Sequence, residues 1–295
     1  MKPTIIILFV FFLLNSCKNG ESNKNSTQAI QDSITNTETR NVEKTQPEVE
    51  VIVKNNKSKA SNPQDDWYWK NTLMSKNNKF EAWDEGEVEL VMTYRKQQND
   101  VQSRTFKVGS ITSEGLVTIN LPKNIKTETK LDNLNNLVFY DLQDISNLEY
   151  KNHKTGYFSN TTIGVEKNGI TIGNLTIGNS VRTTYNLTNQ STLTMGDEGY
   201  LVYLAYVDGD AAMLGDEIRT DKVRRDGTNT IEAKTTVVYD LGFKSGWNFV
   251  KTEIIGSYDL KHERGLNASW FKKHNHTLVE EMPSDAEYFF RKESK

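Results

Sequence analysis

The segment Tyr200–Val207, with the sequence YLVYLAYV, is apolar or aromatic at every position. It ends at Asp208-Gly209-Asp210, a composition typical of a turn. Successive side chains of a strand point to opposite faces of a sheet, so a strand that is apolar at both odd and even positions buries both faces. We therefore expect Tyr200–Val207 to be the central strand of the fold.

The neighbouring segments alternate between apolar and polar residues. In VELVMTY, Val88–Tyr94, every second residue from Val88 is apolar or aromatic, which is typical of a half-buried antiparallel strand. Asn168-Gly169 separates two further strand-like segments and predicts a tight hairpin, because both central residues of such a turn favour positive φ. Lys244-Ser245-Gly246 predicts a second hairpin, which leads from Val237–Leu241 into the strand of Trp247.

About a dozen such strands lie between residues 67 and 292, with a turn signal about every 8–12 residues. This pattern predicts an all-β fold, an antiparallel β-sandwich built as one large or two packed sandwiches. The only helix that we predict is short and covers Thr129–Asn136.

The N-terminus has the pattern of an export signal. Met1-Lys2-Pro3-Thr4 precedes ten apolar residues, Ile5–Leu14, and this run is too short to span a bilayer of about 30 Å. Leu14-Asn15-Ser16-Cys17 resembles the lipobox of bacterial lipoproteins. The resemblance implies a signal peptide over residues 1–16 and fatty acyl chains, such as palmitate, on Cys17. The absence of Asp after Cys17 implies the outer membrane, with the periplasmic or the outer surface left open. A buried or unpaired thiol beside an ordinary signal peptide is the alternative interpretation.

Residues 17–64 have a different composition from the rest of the chain. No aromatic residue occurs from Lys18 to Gln64, so this segment cannot bury enough apolar area to offset its ordering entropy. We predict a flexible tether over residues 17–64 and a folded body over residues 65–295. Asp32-Ser33-Ile34 resembles an O-glycosylation site of Bacteroidetes, which implies a glycan on Ser33.

Four stretches of the body resemble secreted bacterial β-sandwich proteins. They are Val108–Pro122, Tyr200–Asp210, Val238–Val250 and Pro283–Phe290. The resemblance implies an uncharacterised family of Bacteroidetes-type β-sandwich lipoproteins, and it implies no catalytic residue.

Charge and motifs exclude several functions. The 295 residues include 36 basic and 39 acidic side chains, a net charge of −3, which argues against binding to nucleic acid. The sequence contains no Gly-x-Ser-x-Gly elbow, no His-Glu-x-x-His motif and no phosphate-binding glycine loop. We therefore assign no catalytic residue and expect no cofactor.

Two clusters in the sequence contain residue types that are common metal ligands. Asp208, Asp210 and Asp216 are candidate ligands for calcium, although their spacing does not fit the helix-loop calcium motif, and a polar turn is the alternative. On a strand, His274 and His276 would share one face and form half of a metal site. We favour a solvated loop for this pair.

Trp67 and Trp69 would also share one face of a strand. If exposed they are a candidate platform for sugars, and if buried they fill one end of the core. Trp83, Trp247 and Trp270 lie in strand patterns and are expected in the core.

The leading functional hypothesis is a non-enzymatic protein that a lipid anchors to the envelope membrane and that binds a protein or glycan partner. The first alternative is a glycan hydrolase whose two carboxylates carry no motif. The second is a structural or assembly accessory of the outer membrane.

Overall fold

The computed structural model describes residues 72–94, 104–127, 129–133, 139, 141–189, 195–226, 229–261 and 267–293. The described residues contain one α-helix, α1 (Val181–Asn189), and a 3-10 turn, Ile145–Asn147. The fifteen strands are β1 Thr72–Met74, β2 Val88–Tyr94, β3 Arg104–Ile111, β4 Val117–Ile119, β5 Thr129–Lys130, β6 Glu149–Lys151, β7 Gly156–Asn160, β8 Ile163–Lys167, β9 Ile170–Gly178, β10 Gly199–Val207, β11 Ala211–Asp226, β12 Asn229–Phe243, β13 Gly246–Lys261, β14 Asn267–Val279 and β15 Glu287–Lys292.

The all-β prediction is confirmed. The strands belong to one hydrogen-bonded network with the order β4-β3-β2-β8-β9-β10-β13-β14-β12-β11-β6, and β1, β5, β7 and β15 pair beside this path. The pairings between described strands are antiparallel, except that β12 and β14 run parallel.

β10 is the central strand, as its sequence predicts. One edge pairs with β13 along the whole strand, whereas β9 and β7 share the other edge, so the sheet branches at β10. Its even-numbered side chains enter a first core, formed with β2, β3, β8, β9 and β15. Its odd-numbered side chains enter a second core, formed with β11, β12, β13 and β14. The two apolar faces of YLVYLAYV thus supply two different cores.

Local patterns predict β2 and the first hairpin correctly. The alternating residues of β2 that the sequence assigns to one face, from Val88 to Tyr94, are all buried. Asn168 and Gly169 connect β8 to β9 with φ values of 54° and 75°, which fits the positive φ that the turn requires.

The predicted hairpin at Lys244-Ser245-Gly246 is wrong. Gly246 has the expected positive φ of 100°, but β13 pairs with β10 and β14, and not with β12. β14 lies between β12 and β13 in the sheet. The turn is instead held by the β10–β11 turn, where Asp210 Oδ1 accepts a hydrogen bond of 2.8 Å from Ser245 N.

The predicted helix is also wrong where the structure describes it. Thr129 and Lys130 form β5, which pairs with β7, while residues 134–136 lie outside the described residues. α1 follows Ser180, whose hydroxyl accepts a hydrogen bond from Thr183 N at 3.3 Å. Its Val and Thr residues have a low helix propensity, which packing of its buried face overrides. The described ranges contain no helix that is long and apolar enough to cross a membrane.

Candidate functional site

The second core contains a cluster of three buried polar side chains, Asp141, His274 and His276. Both histidines lie on β14, in register with Val237 and Tyr239 of the parallel strand β12. Their placement on one face of a strand agrees with the predicted half-site for a metal. The favoured alternative, a solvated loop, is wrong, because β14 runs between two strands and both imidazoles have 0% exposure.

The Asp141 carboxylate joins the two imidazoles. Its Oδ2 atom lies 2.8 Å from His274 Nδ1 and 2.8 Å from His276 Nε2. Its Oδ1 atom accepts a hydrogen bond of 2.6 Å from the Tyr239 hydroxyl. The remaining nitrogen of His274, Nε2, lies 2.6 Å from Thr252 Oγ1 on β13. One carboxylate thus connects side chains from β12 and β14, and β13 contacts the cluster through Thr252.

Aromatic rings surround the cluster. The ring of Tyr239 stacks on His276 with 4.1 Å between centroids, and Phe139 lies 5.2 Å from each imidazole. Phe271 meets His274 edge-on at 5.7 Å. These rings keep water away from the cluster, so its electrostatic interactions are stronger than they would be at the surface.

Burial and contacts have opposite effects on the protonation of the cluster. Burial raises the pKa of Asp141, but the two imidazoles outweigh this effect and hold that pKa well below its ordinary value. Burial, assisted by His274, lowers the pKa of His276 to about 4. Burial and Asp141 raise the pKa of Tyr239 well above its ordinary value, so the hydroxyl keeps its proton. The Asp141 carboxyl group is therefore ionised at neutral pH.

A row of charged side chains on β11 positions the segment that carries Asp141. Arg219 Nη1 donates a hydrogen bond of 2.5 Å to the backbone oxygen of Asp141. Glu217 Oε2 accepts hydrogen bonds of 3.0 Å from the backbone nitrogens of both Gln143 and Asp144. The backbone at and just after Asp141 is therefore fixed to β11.

Two of the three predicted calcium ligands, Asp208 and Asp210, hold turns in the described structure, and Asp216 lies within a strand. Asp208 accepts hydrogen bonds from Gly156 N at 2.7 Å and from Thr127 Oγ1 at 2.9 Å. Asp210 binds Ser245 N, as described above, and Asp216 lies on β11 opposite Val238. The part of the chain that the structure describes brings three metal-ligating groups within 4.8 Å of one another at Asp141, His274 and His276.

The aromatic candidates have different positions. Trp83 and Trp247 pack against the first core and Trp270 against the second, all three partly buried. Trp247 Nε1 donates a hydrogen bond of 2.8 Å to Pro122 O. Trp67 and Trp69 lie outside the described residues, as do Cys17 and Ser33.

A cavity of about 280 Å³ opens between α1 and the strands β9 and β15. The polar groups of its wall are mainly hydroxyls and amides, from Thr162, Asn174, Thr176, Thr188 and Asn189.

On one side of the cavity, the Arg291 guanidinium lies 4.1 Å from the centroid of the Tyr185 ring. The Thr188 hydroxyl is buried in the wall and has no hydrogen-bond partner among the described residues. Buried hydroxyls normally have a partner, so a bound molecule that reaches the Thr188 hydroxyl would complete its hydrogen bonding.

In comparisons with protein-family models, with curated proteins and with solved structures, nothing matches this chain.

Proposed function

We propose that this protein is a lipid-anchored protein of the bacterial cell envelope, anchored in the outer membrane, which binds a glycan in the cavity beside α1. The buried Thr188 hydroxyl in the cavity wall is the observation that carries the binding proposal. Sugars offer many hydroxyl groups, and the Thr and Asn side chains of the wall are complementary donors and acceptors. The volume lies near the lower end for ligand sites, so a small saccharide is the expected ligand.

The cavity favours binding over hydrolysis. Glycoside hydrolysis generally requires two carboxyl groups, about 5–10 Å apart. Glu293 is the one carboxylate among the described residues that line the cavity. A non-catalytic glycan-binding role therefore fits this wall better than hydrolysis does.

The proposed location in the cell envelope is supported by the sequence alone. The apolar run Ile5–Leu14, the cysteine at position 17 and the polar segment after it are the pattern of a bacterial lipoprotein. Several acyl chains on one residue anchor a protein stably, whereas one chain binds the membrane reversibly. We extend the proposal to the Bacteroidetes-type lipoprotein family that the sequence resembles.

Ligand binding is tested by removing the unpartnered hydroxyl. We expect the purified mature protein, in detergent, to bind members of a glycan array and Thr188→Val to weaken the Kd of a hit roughly 3- to 10-fold, the effect of one hydrogen bond. Stability should not fall, because valine has nearly the same shape. Thr118→Val, on the exposed side of β4, is the matched control and should bind like the wild type. An array without hits, or equal binding by Thr188→Val, would contradict the proposal.

The anchor is tested separately at Cys17. Cells fed labelled fatty acid should incorporate it into the wild-type protein and not into Cys17→Ser, and the variant should leave the membrane fraction or stay unprocessed. Equal membrane retention of both proteins would refute the anchor without bearing on glycan binding.

A further inference from the structure

We infer that Asp141, His274 and His276 bind one divalent first-row transition-metal ion, such as Zn²⁺, in the second core. The ligand atoms are Asp141 Oδ2, His274 Nδ1 and His276 Nε2, which lie within 4.8 Å of one another. The ion would tie the segment of Asp141 to β14. This site is separate from the glycan cavity, and the inference does not depend on the proposed function.

The contact between His274 and Asp141 is the first argument. His274 Nδ1 lies 2.8 Å from Oδ2, yet it has no hydrogen-bond partner of acceptable geometry in the described structure. Two ligand atoms on one ion, each about 2.0–2.1 Å from it, lie about 2.9 Å apart at a 90° angle and about 3.3 Å apart at a tetrahedral angle. The 2.8 Å separation is close to the 90° value and below the tetrahedral value, so a small rotation of either side chain would adapt this pair to zinc. His276 Nε2 is hydrogen-bonded to the same oxygen at 2.8 Å, and a metal ion would replace that bond.

The outer contacts are the second argument. Histidine ligands generally donate their other ring N–H to a neighbouring group, and carboxylate ligands are hydrogen-bonded in turn. With Nδ1 on a metal, His274 donates Nε2–H to Thr252 Oγ1 at 2.6 Å. With Oδ2 on a metal, Asp141 accepts the Tyr239 hydroxyl on Oδ1 at 2.6 Å. Asp141 and His274 therefore already have the supporting bonds that are usual for metal ligands, whereas His276 Nδ1 has no hydrogen-bond partner in the described structure.

The donor set and the burial define the kind of ion and its role. Two imidazoles and one carboxylate suit zinc, copper, nickel or iron, whereas Ca²⁺ and Mg²⁺ require mainly oxygen ligands. A cation would also offset the buried charge of the Asp141 carboxylate, because a charge in a core is costly to remove from water. Because both imidazoles have 0% exposure, the ion would enter as the chain folds and exchange slowly afterwards.

The test measures metal content and stability of the full-length mature protein. Samples are unfolded in denaturant that contains a chelator, and are then refolded either without metal or with Zn²⁺, Ni²⁺, Ca²⁺ or Mg²⁺. After dialysis they are analysed by elemental mass spectrometry. We expect close to one equivalent of Zn²⁺ or Ni²⁺ and none of Ca²⁺ or Mg²⁺. The zinc-loaded protein should melt at a higher temperature than the chelator-treated protein, and the chelator should remove the ion rapidly only after denaturant has unfolded the chain.

Variants identify the site. His274→Gln should retain less than a tenth of an equivalent, whereas His153→Gln should retain the wild-type amount. His153 is the matched control, because it is an exposed histidine 3.9 Å from Asp132. If His274→Gln does not fold, Thr252→Val replaces it. Valine keeps the shape and removes the hydroxyl that orients His274, so zinc affinity should fall about 10- to 100-fold.

The outcomes separate a metal site from a purely hydrogen-bonded cluster. If folded wild-type protein retains neither transition metal, the inference is wrong. The imidazoles and Asp141 then form a cluster that is held by hydrogen bonds alone. Retention of one equivalent by folded His274→Gln, or unchanged zinc affinity in Thr252→Val, would also overturn the inference. Neither measurement uses a glycan, so a failure here is distinct from a failure of the proposed function.

Discussion

Glu217, Arg219 and Asp221 lie on the inner face of β11, where the same face begins with Ala211 and Met213. Arg219 binds Glu217 and Asp221 at 2.9 Å each. The inner face of β11 thus changes from apolar to charged residues along the strand. The charged part is covered by the segment that follows Asp141, whose backbone N–H groups need hydrogen-bond acceptors.

The contribution of Glu217 to stability can be measured by one substitution. Glu217→Gln removes the charge from a side chain with 9% exposure and leaves Arg219 with one acidic partner fewer. We expect the free energy of unfolding at pH 7 to fall by about 2 kcal/mol, the scale of hydrogen bonds to a buried charge. Urea unfolding of both proteins measures the difference.

The difference in the free energy of unfolding between wild type and Glu217→Gln should depend on pH. Burial raises the pKa of Glu217, but hydrogen bonds from Asp144 N and Arg219 outweigh that effect and leave the pKa below its ordinary value of 4.5. A carboxyl group with a lowered pKa in the folded state stabilises the protein above the ordinary value and loses this contribution as the pH falls through the folded pKa. The gap between wild type and Glu217→Gln should therefore shrink steadily below about pH 4.5.

Glu89→Gln is the matched control for this measurement. Glu89 pairs with Lys107 at 2.9 Å, but its side chain is 57% exposed, so its loss should change stability by less than about 0.5 kcal/mol. A Glu217→Gln effect as small as that of Glu89→Gln, or one that persists unchanged at pH 3, would show that the buried row does not fix the Asp141 segment.

The conformation of a hairpin turn depends on the φ angles of single residues. A comparison of two glycines separates the effect of a positive φ from the effect of steric contacts. Gly169 in the β8–β9 turn has φ of 75°, Gly242 in β12 does not have a positive φ, and a Cβ added at either would meet no atom within 4 Å. Gly169→Ala should therefore cost about 1–2 kcal/mol through backbone strain alone. Gly242→Ala should be neutral or slightly stabilising, because alanine reduces the entropy of the unfolded chain. Equal melting temperatures for the two variants would exclude strain as the determinant of this turn.

The same elements show what the sequence can predict. β2, β10 and the Asn168-Gly169 turn depend on patterns within a few residues, and all three are confirmed. β12 pairs with β14 and not with β13. This pairing depends on a strand that begins only at Asn267, so no pattern near β12 in the sequence predicts it. α1 is likewise decided by the surface that it covers, since its β-branched residues favour strands.

The buried cluster could be predicted only in part. Two histidines at alternating positions of one segment indicate a shared face, and an otherwise apolar strand neighbourhood is the signal that would have favoured burial over a loop. Asp141 lies 135 residues before His276 in the chain, and Tyr239 and Thr252 lie on other strands. These residues come together because of the order of the strands in the sheet. That order cannot be read from the spacing of the residues in the sequence.

The fifteen strands of the described residues, which include the shared strand β10, should behave as one cooperative unit. Leu201 of β10 has 0% exposure and belongs to the second core, whereas Val202 has 1% exposure and belongs to the first. Each core is closed by one face of the same nine-residue strand. Loss of either core leaves β10 without half of its packing, so neither core is expected to persist without the other.

Fluorine NMR of protein labelled with fluorotryptophan tests this cooperativity. Trp83 and Trp247 report on the first core and Trp270 on the second, so their native resonances should disappear at one common urea concentration. Leu201→Ala leaves a cavity in the second core at a cost of about 2–5 kcal/mol, and it should lower the midpoint of all three resonances equally. Ile218→Ala, at a side chain with 61% exposure, is the control and should move none of them. If Leu201→Ala shifts Trp270 alone, the two cores unfold independently, and β10 joins two units that are stable without each other.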